Sequence, residues 1–94
     1  MTTGSAQIAV RDNPAEQRYE LVVDGELAGE ILYRRRSDAV VLVHTEVAPK
    51  FEGQGLGGQL VAGALEDIRA SGLRPVAVCP FVRAYMERHP ETAR

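Results

Sequence analysis

The chain has 94 residues, of which 45% are hydrophobic and 26% are charged, and its formal net charge is −2. This length allows one small domain, and the balanced composition excludes a disordered chain and a basic nucleic-acid arm. One cysteine excludes an internal disulfide, and no apolar run is long enough to span a membrane. We expect residues 1–94 to form a single domain, frayed over residues 1–5, and cytoplasmic because no signal peptide is visible.

Strands are predicted for the first part of the chain. Residues 8–10 and 19–24 alternate between apolar and polar side chains, as half-buried strands do. Asp24-Gly25 predicts a tight hairpin, and residues 27–33 return as the partner strand with Gly29 as a candidate bulge. The run Arg34-Arg35-Arg36-Ser37-Asp38 predicts a charged loop, either a solvated turn or a site for ligand phosphates.

A central strand and a strand-helix-strand-helix unit are predicted for the rest. Residues 39–47 contain a continuous apolar run, which indicates a strand covered on both faces. From Gln59 the apolar period is helical, and Gly72 suits the helix end. Residues 75–78 predict a strand parallel to 39–47, and Pro80 opens a last helix. The class is therefore α+β, with a mixed, mostly antiparallel sheet and a C-terminal βαβα unit.

A glycine-rich loop joins the central strand to the first helix. Gly53, Gly55, Gly57 and Gly58 let the backbone approach a ligand, and the free N–H groups of a helix N-terminus favour phosphate or pyrophosphate. A turn with only a packing role is the alternative. A Walker loop is excluded because Gly57-Gly58-Gln59 lacks the Gly-Lys-Ser/Thr ending, and too little chain remains for a Rossmann sheet.

Residues 47–58 resemble the acetyl-CoA signature of the Gcn5-related N-acetyltransferase (GNAT) superfamily, which reads Gln/Arg-x-x-Gly-x-Gly/Ala. Glu52 stands where that signature has Gln or Arg. The chain also resembles the small YjdJ-type subgroup through three further segments: His44-Thr45-Glu46-Val47, Cys79-Pro80-Phe81-Val82 and His89-Pro90.

The resemblance implies a compact sheet that splays between two parallel strands, here 39–47 and 74–79, with acetyl-CoA as co-substrate and no metal. It implies a shallow acceptor site, because only residues 12–17 separate the first two strands. The cofactor-binding residues that it implies are Val47, Glu52, Gly53, Gln54, Gly55, Leu56, Gly57 and Gly58.

Four residues are candidates for acid-base chemistry. Cys79 precedes Pro80 at the predicted start of the last helix, where a helix N-terminus lowers a thiol pKa; the alternative is a small buried residue. His44 and Glu46 share a strand face and could deprotonate an amine, or they could be structural. The resemblance makes Tyr85 a proton donor to the leaving thiolate, whereas the apolar spacing makes it a core residue.

The leading interpretation is an acetyl-CoA-dependent N-acetyltransferase with an unidentified amine acceptor, which could be a protein or another bulky molecule. Two alternatives remain open: a non-catalytic CoA or acyl-CoA binding module, and a general nucleotide-phosphate binder at which ATP would compete with CoA. A metal site from His44, Glu46, Cys79 and His89 matches no compact ligand spacing. Nucleic-acid and membrane partners are not expected, and a monomer or weak dimer is.

Overall fold

The computed structural model describes residues 7–93, so the expected fraying of residues 1–5 lies outside the described part. Within it, the chain forms one five-stranded sheet in the order β1-β2-β3-β4-β5, with β4 and β5 parallel and the other pairs antiparallel. The predicted α+β class and the order of four strands, helix, strand and helix are confirmed. The elements are β1 (Ile8–Asn13), β2 (Arg18–Val23), β3 (Glu26–Arg35), β4 (Ala39–Val47), a 3₁₀ turn (Pro49–Phe51), α1 (Leu56–Ala70), β5 (Arg74–Ala77), α2 (Pro80–Arg88) and a second 3₁₀ turn (Pro90–Ala93).

The β2–β3 hairpin forms where the sequence predicts it. Asp24 and Gly25 both have positive φ, 51° and 83°, as a two-residue primed turn requires. The bulge that follows leaves Ala28 between the paired residues, one position before the predicted Gly29. The prediction of a loop from Arg34 was wrong, because β3 continues through Arg35 and pairs with the start of β4.

Helix α1 covers one face of the sheet and contacts all five strands. It begins at Leu56, three residues before the predicted start, because Gly55 takes the left-handed conformation that ends the loop. Gly72 also has positive φ at the helix end, as predicted. No helix in the described residues is long and apolar enough to cross a membrane. The α1 side chains in the core are those of Leu56, Leu60, Val61, Ala64, Leu65 and Ile68.

The opposite face of the sheet is polar around its centre. Glu20, Glu30 and Glu46 lie side by side on successive strands, and Arg11 continues this row on β1. Glu20 is only 2% exposed. Its carboxylate accepts hydrogen bonds from Arg11, Asn13 and Arg18 at 2.7–2.9 Å. Buried charge on this face is therefore matched by surrounding donors.

The prediction that both faces of β4 are covered was wrong for its second half. Leu42 is fully buried, whereas the side chains of His44 and Glu46 are 53% and 67% exposed. The reason is that the apolar run ends at Val43 while the helix covers only one face. The strand therefore starts in the core and ends at an open surface.

A second bulge lies at this transition in β4. Leu32 lies opposite His44, and the next residue of β3, Tyr33, lies opposite Leu42. Val43 is consequently left without a partner residue on β3. A bulge of this kind changes the twist of the strand and redirects the side chains beyond it.

The parallel pair β4–β5 separates after four paired positions. Residues 39–42 pair with 74–77, and the N–H groups of Val78 and Cys79 both donate to the Leu42 carbonyl, at 3.0 and 2.9 Å. The chain then turns into α2, and the rest of β4 continues without pairing to β5. This geometry is the splay that the resemblance implies.

Candidate active site

Cys79 lies at the N-cap of α2, as its position before Pro80 predicts. It is 4% exposed, and its Sγ lies 3.3 Å from Oγ1 of Thr45. Burial raises the pKa of this thiol, but the Thr45 hydroxyl and the backbone N–H groups of Val82 and Phe81 outweigh that effect. The net result is a pKa below the usual value, which gives an acid stronger than an ordinary cysteine thiol.

His44 and Glu46 lie together on the exposed face of β4. Their Nε2 and Oε2 atoms are 3.6 Å apart. Side chains alternate along a strand, so this pair projects to the face opposite Thr45 and its bonded Cys79. Three of the four catalytic candidates are therefore not gathered in one cluster: His44 and Glu46 occupy one face of β4, and Cys79 lies beside the other.

A groove of about 510 Å³ lies beside the adjoining ends of β3 and β4. Three carboxylate residues contribute to it, Glu30, Glu46 and Glu52, with Thr45 beside them. Its remaining lining is mostly small or apolar: Leu27, Ala28, Gly29, Val47, Ala48 and Pro49. The groove thus combines negative charge with apolar surface, and one of its lining residues is the candidate base Glu46.

The glycine loop has the backbone conformation of a ligand cradle. Gly53 and Gly55 have φ values of 80° and 74°, and a Cβ at either position would meet nothing within 4 Å. These glycines are therefore required by conformation rather than by packing. Within residues 7–93 no side chain caps the N-terminus of α1, so its first N–H groups are available to a ligand. Leu56 is buried and could contribute only its backbone.

Helix α2 packs on the first turn of α1 through two aromatic rings. A Cβ built on Gly57 would lie 2.9 Å from Cζ of Phe81, and one built on Gly58 would lie 3.7 Å from Cε2 of Tyr85. The Tyr85 ring also stacks on His89, with centroids 4.3 Å apart. The structure therefore places Tyr85 beside the glycine loop.

A comparison with protein families matches residues 18–94 to the model described as GCN5-related N-acetyl-transferase. The chain belongs to this family. As a GNAT protein it is an acetyltransferase, which agrees with the leading interpretation of the sequence. No curated protein matches the chain.

Solved GNAT structures share the fold. A GCN5-like protein of Staphylococcus aureus, solved by NMR in solution, superimposes with a TM-score of 0.67 at 24% identity, over 89% of this chain and 82% of that one. Aminoglycoside N-acetyltransferase AAC(6')-Iy, solved in complex with CoA, superimposes with a TM-score of 0.59 at 14% identity, over 98% of this chain and 90% of that one. At these identities the likeness establishes the fold alone.

Two contacts of this GNAT chain were not predicted from its sequence. Thr45 was assigned no role, yet it is the side-chain partner of Cys79. Phe81 was named as part of the segment Cys79-Pro80-Phe81-Val82, yet its ring lies on Gly57. Strand alternation placed Thr45 opposite His44, but nothing in the spacing indicates that the sulfur meets it.

The structure also locates the arginine run, the candidate metal ligands and His89. The run Arg34–Arg36 lies at the end of β3, beside the first residues of β4 and at the opposite end of β4 from the glycine loop, so the two do not form one phosphate site. Among residues 7–93, no three His, Cys, Asp or Glu side chains are grouped as metal ligands. His89 lies near Glu91, with 3.6 Å between Nδ1 and Oε2.

Proposed function

We propose that this GNAT chain binds acetyl-CoA along the end of β4 and the glycine loop, and transfers its acetyl group to an amine. The observation that carries the proposal is the continuity of the splay with the uncapped N-terminus of α1. The second half of β4 has no partner on the β5 side, and it leads directly into residues 48–55. An extended arm could therefore pair with strand backbone while its phosphates reach the helix.

The proposed cofactor-binding residues differ in whether they have groups that could bind the pyrophosphate. Gly53, Gly55 and Gly57 would present backbone N–H groups to the pyrophosphate, and Leu56 would do the same because its side chain is buried. The Glu52 side chain carries no positive charge that could bind phosphate, and it lines the groove instead. We assign it to the acceptor side. The aminoglycoside acetyltransferase that shares the fold was solved in complex with CoA, which supports CoA as the ligand proposed here.

The transfer requires one net proton movement. The amine nitrogen forms a bond to the thioester carbon, the carbon–sulfur bond breaks, and the proton lost by nitrogen is balanced by one gained by the CoA sulfur. We propose that Glu46, assisted by His44, accepts the amine proton through water, because both side chains project from the face of β4 opposite Cys79. Cys79, whose pKa is lowered, or Tyr85 would protonate the sulfur. Because Cys79 is 4% exposed, direct transfer is preferred to an acetyl-cysteine intermediate.

The groove indicates which acceptors would fit. Glu30 is already paired with Arg18 at 3.1 Å, so the carboxylates of Glu46 and Glu52 are the ones that favour an acceptor with positive charge. The groove lies beside the exposed Glu46 side chain, so a bulky molecule could present an amine there. The acceptor is therefore proposed to be a cationic amine, free or on a larger molecule.

Calorimetric titration with acetyl-CoA, CoA and ATP tests the cofactor site. Micromolar binding of both CoA compounds without ATP binding is expected. Equal binding of ATP would favour a general phosphate site, and no binding would contradict the proposal.

Acetyl transfer to a panel of amines then tests the chemistry. Glu46→Gln and Cys79→Ala should each lower the transfer rate by about 100- to 10,000-fold while CoA affinity stays within about twofold of the parent. Glu66→Gln, an exposed change on α1, is the matched control. Binding without transfer to any amine, in the parent protein, would favour the CoA-binding module instead.

A further inference from the structure

Phe81 contacts two parts of the molecule that the proposed function uses separately. It is the second residue of α2, two positions after Cys79 at the N-cap. Its backbone N–H is directed at the Cys79 sulfur. Its ring lies on Gly57, in the first turn of α1. One residue therefore connects the phosphate-binding turn to the thiol.

Any side chain at Gly57 would require the far end of the Phe81 ring to move. The position of a Cβ at Gly57 lies 2.9 Å from Cζ and 3.2 Å from Cε2 of Phe81, distances that real Cβ atoms do not tolerate without movement. The helical φ of Gly57 is accessible to alanine, because this glycine is not among those with positive φ. The glycine at position 57 is therefore explained by the nearby Phe81 ring, and not by a backbone conformation that requires glycine.

The ring is also more exposed than its contact requires. Phe81 is 43% exposed, and Val78, beside the splay, is 50% exposed. The Phe81 side chain thus packs on α1 with one side and leaves its other side open. It is well placed to hold two elements at a set distance and to line the space between them.

We propose that Phe81 is a positioning residue: its ring, seated on Gly57, sets the separation between the phosphate-binding turn of α1 and the Cys79 thiol at the start of α2. This separation decides whether the phosphates can reach the N–H groups of α1 while the thioester lies beside the Cys79 thiol. The inference rests on the proposed function, because it assumes that a CoA compound spans the two points. It assigns Phe81 no contact with the reacting atoms.

A pair of compensating substitutions tests this role. Gly57→Ala should displace the Phe81 ring and weaken CoA binding by about tenfold, a coupling of ordinary size for contacting residues. Phe81→Leu removes the atoms nearest to the new methyl group, so the double variant should recover most of the lost affinity. If the double variant binds as weakly as Gly57→Ala, Gly57 serves only the approach of the phosphate and the proposal is overturned.

A second readout separates positioning from general stability. The rate at which iodoacetamide alkylates Cys79 is measured against pH in the parent, Phe81→Ala and Phe81→Leu. The plateau of the profile reports access to the sulfur, and its midpoint reports the thiol pKa. Phe81→Ala should move the midpoint of the profile to higher pH, because Cys79 at the start of α2 loses its alignment with Thr45.

Ile8→Ala removes an apolar side chain of similar exposure, 39%, on β1, and should leave CoA affinity and the midpoint unchanged. An unchanged midpoint in Phe81→Ala, with only a lower melting temperature, would make Phe81 a structural residue and overturn the inference. Absence of CoA binding by the parent would contradict the proposed function, whereas the alkylation profiles would still test the contact.

Discussion

At the scale of single residues, the chemistry of Cys79 depends on a hydroxyl from another strand. Burial by itself would suppress ionisation of the thiol, since a thiolate loses hydration in an apolar environment. The Thr45 hydroxyl at 3.3 Å and the backbone N–H groups at the start of α2 reverse this effect. The pKa of Cys79 is consequently lowered by its neighbours despite its burial.

Replacement of Thr45 should therefore raise the pKa of Cys79. Thr45→Val keeps the shape and the strand backbone but removes the hydroxyl, so less thiolate is present at a given pH. Alkylation of Cys79 at neutral pH should slow by about two- to tenfold, the usual net value of one hydrogen bond. The measurement is the pH dependence of the alkylation rate.

Thr45→Ser is the matched control, because it retains a hydroxyl on the same carbon. Its midpoint should stay near that of the parent. A Thr45→Val profile that coincides with the parent profile would show that the N–H groups alone lower the thiol pKa.

At the scale of elements, α1 approaches β1 at a glycine. A Cβ built on Gly63 would lie 2.7 Å from both Cβ and Cγ2 of Val10. The side chain that would ordinarily stabilise a helix is excluded here by the neighbouring strand. Gly63 therefore sets how closely α1 lies over the edge of the sheet.

Gly63→Ala should destabilise the protein even though alanine favours helices. We expect a loss of about 1–3 kcal/mol in the free energy of unfolding, because the added methyl group forces the helix and β1 apart. Urea denaturation measures this loss. Gly58→Ala, in the same helix but with 3.7 Å to its nearest neighbour, should leave stability unchanged or raise it by up to about 1 kcal/mol. Equal effects of the two substitutions would contradict the steric explanation.

At the scale of the whole molecule, the charge network around Glu20 joins three strands of the sheet. Glu20 accepts hydrogen bonds from Asn13, Arg18 and Arg11, and Arg18 also donates to Glu30 at 3.1 Å. These bonds lower the pKa of Glu20 from 4.5 to about 2. A carboxyl group with a lowered pKa stabilises the fold above its unfolded pKa and loses that contribution as it is protonated.

The stability of the protein should therefore decrease as the pH falls from about 4.5 towards 2. Glu20→Gln should lower the free energy of unfolding at pH 7 by about 1–3 kcal/mol, because the donors around it lose a charged acceptor. Its stability should also depend less on pH across that acid range. Urea denaturation at a series of pH values measures both effects.

Glu66→Gln on the exposed side of α1 is the control and should retain the acid dependence of the parent. If Glu20→Gln shows the same acid dependence as the parent protein, other carboxyl groups are responsible for it.

Much of the fold follows from local patterns in the chain. Alternation predicted β1 to β3, Asp24-Gly25 predicted the hairpin, and the helical period from Gln59 predicted α1. The glycine loop between strand and helix was also visible, because the glycines that need positive φ are local requirements. These features depend on residues close together in the sequence, and their physical causes act over a few positions.

The sequence by itself thus determined the order of elements, the glycine loop and the identity of the chemical groups at the candidate site. Only the tertiary structure decided how those groups are combined. Cys79 meets Thr45 although 34 positions separate them, because β5 stops pairing after Leu42 and the chain turns into α2 there. His44 and Glu46 are exposed because α1 covers one face of the sheet alone. Such contacts depend on strand register, a bulge and the end of a strand, which no local pattern specifies.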